Sequence, residues 1–185
     1  MNTTPTPQPN EVFATFCSGI DQASVQRIIQ AFAQGSQNGV THIHLLFQSN
    51  GGLVGDGICL YNFFRNAPID LTLYNVGSVQ SIGLIAYLGA KNRVAQRHCT
   101  FMMHRTTGPA LQVGEKRLES FAKSVGMDDA RTEAIIQERA AGTLAEWVKL
   151  RDNEFWLTAD DAVKSGVADR IGDFAPPVGA KIYNF

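Results

Sequence analysis

Apolar runs of strand length alternate along this chain with segments whose apolar residues recur at helical spacing. "EVFATFC" is followed by Asp21, a predicted N-cap, and then by Val25, Ile28, Ile29 and Phe32 at helical intervals. "GSQNG" closes that helix, and "VTHIHLLF" is the next strand. After the break at "SNGG" a helix is predicted from Leu53 to Phe64, with Ile58, Tyr61 and Phe64 on one face. "IDLTLYNV" reads as a strand, "SIGLIAYLGA" as a helix, and "RVAQ" and "CTFMMH" as two short strands. Alternation on this scale predicts an α/β fold with a largely parallel sheet.

The rhythm changes between Glu115 and about Ala141. This stretch of about 26 residues would make a helix about 39 Å long at 1.5 Å per residue. Leu118, Phe121 and Val125 stripe its first half; Ala134, Ile135 and Ile136 mark its second, with Gly126 between them. A helix of that length overruns a small domain, so part of it is expected to project and meet a partner subunit. "TLAEWVKLRD" reads as a short helix and "EFWL" as a strand. "TADDAVKSG" reads as a helix capped by Thr158, with Asp161 completing a capping box. "VADRI" is read as the last strand. The resulting organisation is a Pro/Thr-rich tail over residues 1–10, one domain over 11–172, and an irregular tail over 173–185.

The bulk numbers exclude several classes. A formal net charge of −1 and the absence of a basic patch give no basis for nucleic-acid binding. No apolar run reaches the ~18 residues of a membrane span, and "MNTTPTPQPN" has neither the basic start nor the apolar centre of a secretory signal. Cys17, Cys59 and Cys99 are odd in number and widely spaced, each in an apolar run; they read as buried free thiols of a cytoplasmic protein. No CxxC pair suggests zinc.

Chemistry concentrates in two glycine-flanked breaks. In "GSVQSIG" Ser81 stands where a strand becomes a helix, a position open to a plain helix cap or to a nucleophile. In "SNGG" two glycines before a helix leave backbone N–H groups able to hold a developing negative charge, and the N–H of Ile82 is a second such donor. A serine nucleophile needs a base. His42 and His44 lie within a strand and read as structural, and His98 as a surface residue. His104 ends a strand at a loop, where active-site groups are often placed. His98 and His104 share a strand, but no third ligand accompanies them, so no metal is expected.

Four motifs in order carry a family resemblance: "FQSNGGLVGDGICLYNFF", "NVGSVQSIGLIAYLGAKNRVAQ", "FMMHR" and "WLTADDAVKSGVADRI". Together with the 29-residue step from Gly52 to Ser81, they resemble the proteolytic subunit of the Clp protease, over roughly Glu11 to Ile171. The resemblance implies a crotonase-like fold, a repeated β-β-α superhelix whose long helix projects as a handle over about 115–141. It implies a serine endopeptidase without a cofactor, with Ser81 as nucleophile and His104 as general base. Gly52 and Ile82 would supply the oxyanion-hole N–H groups. Leu53, Val54, Thr106, Thr107 and Gly108 would pair with an extended peptide or unfolded protein substrate. Self-association into heptameric rings, with two rings stacked through the handles, is implied as well.

The chain departs from the family pattern at four places. The acid that should orient His104 aligns with Glu154, or with Asp152 after a one-residue gap; either can accept the imidazole N–H. "SNGG" lacks the family's proline, and "HRT" stands for its "HQP". The segment before the first strand is short where the family carries axial loops, which weighs against an AAA+ unfoldase partner. Two other classes compete: a catalytically silent ring or scaffold subunit, and a crotonase-like acyl-CoA enzyme.

Overall fold

The computed structural model describes residues 10–108, 114–142 and 154–185. The tail over residues 1–9 and the helix expected over "TLAEWVKLRD" lie outside those residues.

Six strands form the main sheet: β1 (Glu11–Cys17), β2 (His42–Gln48), β3 (Asp70–Asn75), β5 (Asn92–Ala95), β8 (Arg170–Ile171) and β9 (Ile182–Asn184). Their order is β8-β5-β3-β2-β1-β9, and every pair is parallel. The helices α1 (Gln22–Gln37) and α2 (Val54–Asn66) supply the crossovers. Alternation decides which side of each strand is core. Ala14 and Phe16 of β1, Ile43, Leu45 and Phe47 of β2, and Leu71 and Leu73 of β3 are all buried. Val25, Ile28 and Phe32 of α1 and Ile58, Tyr61 and Phe64 of α2 are buried with them. Ile29, expected in the α1 stripe, is 36% exposed. Asp21 caps α1 as its residue type predicts: its carboxylate accepts from the Ser24 N–H at 2.7 Å, and the Ser24 hydroxyl accepts from the Asp21 N–H at 2.9 Å.

A second sheet of three strands has the order β4-β6-β7, built from β4 (Ser78–Gln80), β6 (Thr100–Met103) and β7 (Phe155–Thr158). β4 runs parallel to β6, and β7 antiparallel to it. The helix α3 (Ile82–Tyr87) follows β4 and is wholly buried. The short helix α5 (Ala159–Lys164) carries the expected Thr158–Asp161 capping box.

Several expectations are corrected. β4 lies inside "GSVQSIG", a stretch too short and glycine-rich to show strand periodicity. The tail after Gly172 is not irregular throughout: β9 adds to the sheet beside β1, with Phe13 opposite Ile182. The long helix α4 (Glu115–Arg139) is present, but its buried face is Thr132, Ile135 and Ile136, and Ala134 is exposed. No residue before Thr132 on α4 is buried, so the first half stands away from the core. Cys99 is buried, whereas Cys17 and Cys59 are exposed. Among the described residues no helix is long and apolar enough to cross a membrane.

Candidate active site

Three chain breaks meet at the ends of β2, β4 and β6. Ser49, just past β2, bridges to Val79 of β4, and the Ser81 N–H donates to the Met102 carbonyl of β6 at 2.7 Å. Ser81 is thereby fixed by backbone pairing on the strand side and by α3 on the other. It has φ 53° and ψ −132°, and it is the only non-glycine residue with positive φ among the described residues. That conformation is strained for a residue with a Cβ, at roughly 1–3 kcal/mol, and such strain gathers at functional sites. Although Ser81 occupies the N-cap position of α3, its side chain makes no capping hydrogen bond. Capping therefore does not account for this serine.

The glycine loop lies directly against it. A Cβ on Gly51 would sit 2.6 Å from the Ser81 Cβ, at a φ of +94°. Gly52 pairs with Ile20 through its neighbours: the Ile20 N–H donates to the Gly51 carbonyl and the Leu53 N–H to the Ile20 carbonyl. That pattern leaves the Gly52 N–H out of the pairing. Ile82 is the first residue of α3, so its N–H has no partner within the helix.

Ser81, Gly52, Ile82 and His104 line one cavity of about 250 Å³, together with Val54, Thr106 and Thr107. Leu53 and Gly108, expected to pair with the same extended substrate, lie outside that lining: Leu53 is 62% exposed, and Gly108 lies against Phe121. His104 follows β6 and is half-buried, with Nδ1 2.6 Å from the Arg105 carbonyl oxygen. A carbonyl only accepts, so this bond needs the proton on Nδ1 and leaves Nε2 with the lone pair a general base requires.

Register brings the candidate acid Glu154 beside His104. Pairing of β6 with β7 ends at Met103 opposite Phe155, and one further step sets Glu154 abreast of His104. Glu154 is exposed, and its Oε2 accepts from the Trp156 Nε1–H at 3.1 Å. Asp152 lies outside the described residues.

Residue reading missed the far wall of the cavity. Ile85, Met103, Arg105 and Thr132 also line it. Arg105 is held by Glu133 and lies 3.9 Å from Asp129, and the Asp129 carboxylate accepts from the Thr106 N–H at 2.8 Å. The carboxylates of α4 thus pin the backbone that follows His104. Asp129 and Glu133 stand four apart on one helix face, which was legible in the sequence; that this face meets Arg105 was not.

Fold and site together define a parallel-sheet α/β protein with a serine and a histidine on one glycine-walled cavity. A model of the Clp protease family matches residues 10–174. The ATP-dependent Clp protease proteolytic subunit 2 of Pseudomonas aeruginosa is 24% identical over 163 residues, covering 87% of this chain and 80% of that protein. Subunit 1 of Gloeobacter violaceus is 28% identical over 136 residues, covering 72% and 68%. Among solved structures, a ClpP1 mutant from Listeria monocytogenes superposes with a TM-score of 0.76 at 21% identity, covering 94% of this chain and 95% of that one. The chain belongs to the Clp protease family, a family of peptidases, and it has the fold of that structure.

Proposed function

We propose that this chain is a serine-type endopeptidase subunit in which Ser81 attacks the scissile carbonyl carbon. His104 Nε2 takes the hydroxyl proton and returns it to the leaving amine; water then releases the acyl group from Ser81 by the reverse sequence. The Gly52 and Ile82 N–H groups hold the oxyanion. Val54, Thr106 and Thr107 line the groove in which an extended peptide lies. Glu154 takes the Nδ1–H of His104 once its carboxylate leaves Trp156, and Asp152 is the alternative acid. The observation that carries this reading is Ser81 itself: strained, not spent on capping, and sharing a cavity with a histidine whose Nδ1 is already satisfied.

Self-association into rings, stacked through α4, fits the exposed first half of that helix. Leu118 and Met127 are 48% and 58% exposed there. The two curated relatives named above are proteolytic subunits of an ATP-dependent protease, and an AAA+ unfoldase is the partner class by which such a particle would receive unfolded chains.

Labelling with a serine-reactive fluorophosphonate, with the adduct located by peptide mass spectrometry, tests the assignment. An adduct on Ser81 that is lost in His104→Ala, together with loss of peptide cleavage in Ser81→Ala, is expected. An assembled particle without an adduct would instead identify a catalytically silent ring subunit. The Trp156 bond of Glu154, which holds that carboxylate to the indole, is the feature that would then explain the silence.

A further inference from the structure

The face of the main sheet opposite the core carries a cluster that the peptidase site does not use. His42 and His44 project from β2 two residues apart, and Glu11 from the neighbouring β1 lies opposite His42 in the parallel register. Each offers a ligand atom, and the three atoms lie within 4.8 Å of one another. The two imidazole rings are parallel with centroids 4.2 Å apart, and the Phe13 ring stacks on His44 at 4.7 Å.

Within this cluster one contact is poorly explained as an ordinary ion pair. His44 Nε2 is buried and makes no hydrogen bond, and Glu11 Oε2 stands 3.4 Å away. A charge-assisted hydrogen bond would close to about 2.7–2.9 Å. Zinc holds nitrogen and carboxylate oxygen at about 2.0–2.2 Å in a tetrahedron, and two ligands of such a tetrahedron are about 3.4 Å apart. Glu11 and His44 are therefore already spaced as two ligands of one tetrahedral ion.

Outer partners complete the arrangement. Tyr74 OH lies 2.9 Å from His44 Nδ1, and Thr72 Oγ1 lies 2.8 Å from His42 Nε2. The Tyr74 hydroxyl can accept the remote N–H of His44, which leaves His44 Nε2 with a free lone pair; metal-bound histidines are oriented in the same way.

We propose that Glu11, His42 and His44 form a binding site for one divalent transition-metal ion of the zinc class, with solvent in the fourth position. Binding exchanges the stacking of His42 on His44, and the His42 contact with Thr72, for convergence of the ligand atoms, a rotation of His42 about a soft imidazole torsion. The ion would clip β1 to β2 on the face away from Ser81, so the site stands independently of the peptidase reading.

The test is titration of the full chain with Zn²⁺ against a chromophoric chelator, with Co²⁺ absorption reporting tetrahedral geometry. One equivalent per chain is expected. His42→Gln and Glu11→Gln, both at residues that are not buried, should each weaken that equivalent at least tenfold while circular dichroism stays unchanged. His98→Gln, at an exposed histidine on another part of the surface, should leave it intact. Absence of a saturable equivalent, or undiminished affinity in either of the first two variants, overturns the site.

Discussion

Ser81 joins two demands that pull against each other. Its backbone is held at φ 53° between β4 and α3, where glycine would rest without strain, yet the proposed chemistry needs a hydroxyl there. Ser81→Ala keeps the Cβ and the strain, so its melting temperature should match the parent's. Ser81→Gly removes the strain and should be more stable than Ser81→Ala by about 1 kcal/mol, a few degrees in a domain of this size. Calorimetry on the two variants decides this; a Ser81→Gly protein that melts below Ser81→Ala would mean the turn carries no strain. The same crowding explains why Gly51 has no room for a side chain, since its Cβ would land on that of Ser81.

At the scale of elements, the cap of α1 and the free half of α4 make separate predictions. Bonds from the Ser24 N–H, and next from the Ser24 side chain, hold the Asp21 carboxyl below its ordinary value. A lowered carboxyl contributes stability above its unfolded pKa, about 3.9, and loses it as pH falls through the folded value. Asp21→Asn keeps a capping oxygen but cannot titrate. Any excess stability of the parent over this variant at pH 7 should therefore shrink below about pH 4. Thermal melts of the pair across that range check this, and an excess growing toward acid would contradict it. The contribution is small, because Asp21 faces water. On α4, Leu118 and Val125 lie seven residues apart on one stripe, and neither is buried. Leu118→Asp with Val125→Asp should leave the chain folded but shift the particle to smaller species in sedimentation velocity. An unchanged particle would remove α4 from the assembly contact.

For the molecule as a whole, stability rests on the layer between the main sheet and its helices. Phe47 is fully buried there, stacked on Phe16 at 5.2 Å and edge-on to Phe64. Phe47→Ala should cost about 3–5 kcal/mol, from lost burial and the cavity left behind. Urea unfolding measures that loss, and a cost below about 1 kcal/mol would mean the layer collapses to fill the gap. Phe47 is also the residue from which the chain runs on through Gln48 and Ser49 to the glycine loop, so the core that stabilises the sheet also positions the site.

Periodicity and punctuation were enough to read most elements from the chain alone. β1, α1, β2, α2 and β3 follow from alternation and helical spacing, and the caps at Asp21 and Thr158 from residue type, because these signals are local. Ser81, His104 and the glycine loop were also legible, since each stands at a break between elements where its chemistry is exposed. What the sequence left open depends on contacts between distant segments. β4 and β9 are strands only because β6 and β1 offer them partners, and neither is long enough to show a period of its own. The buried face of α4 is set by where the helix meets the domain, so Thr132 is inside and Ala134 outside. Arg105 meets Asp129 and Glu133, and Glu11 meets His44, through sheet register and helix docking, which no spacing along one segment encodes.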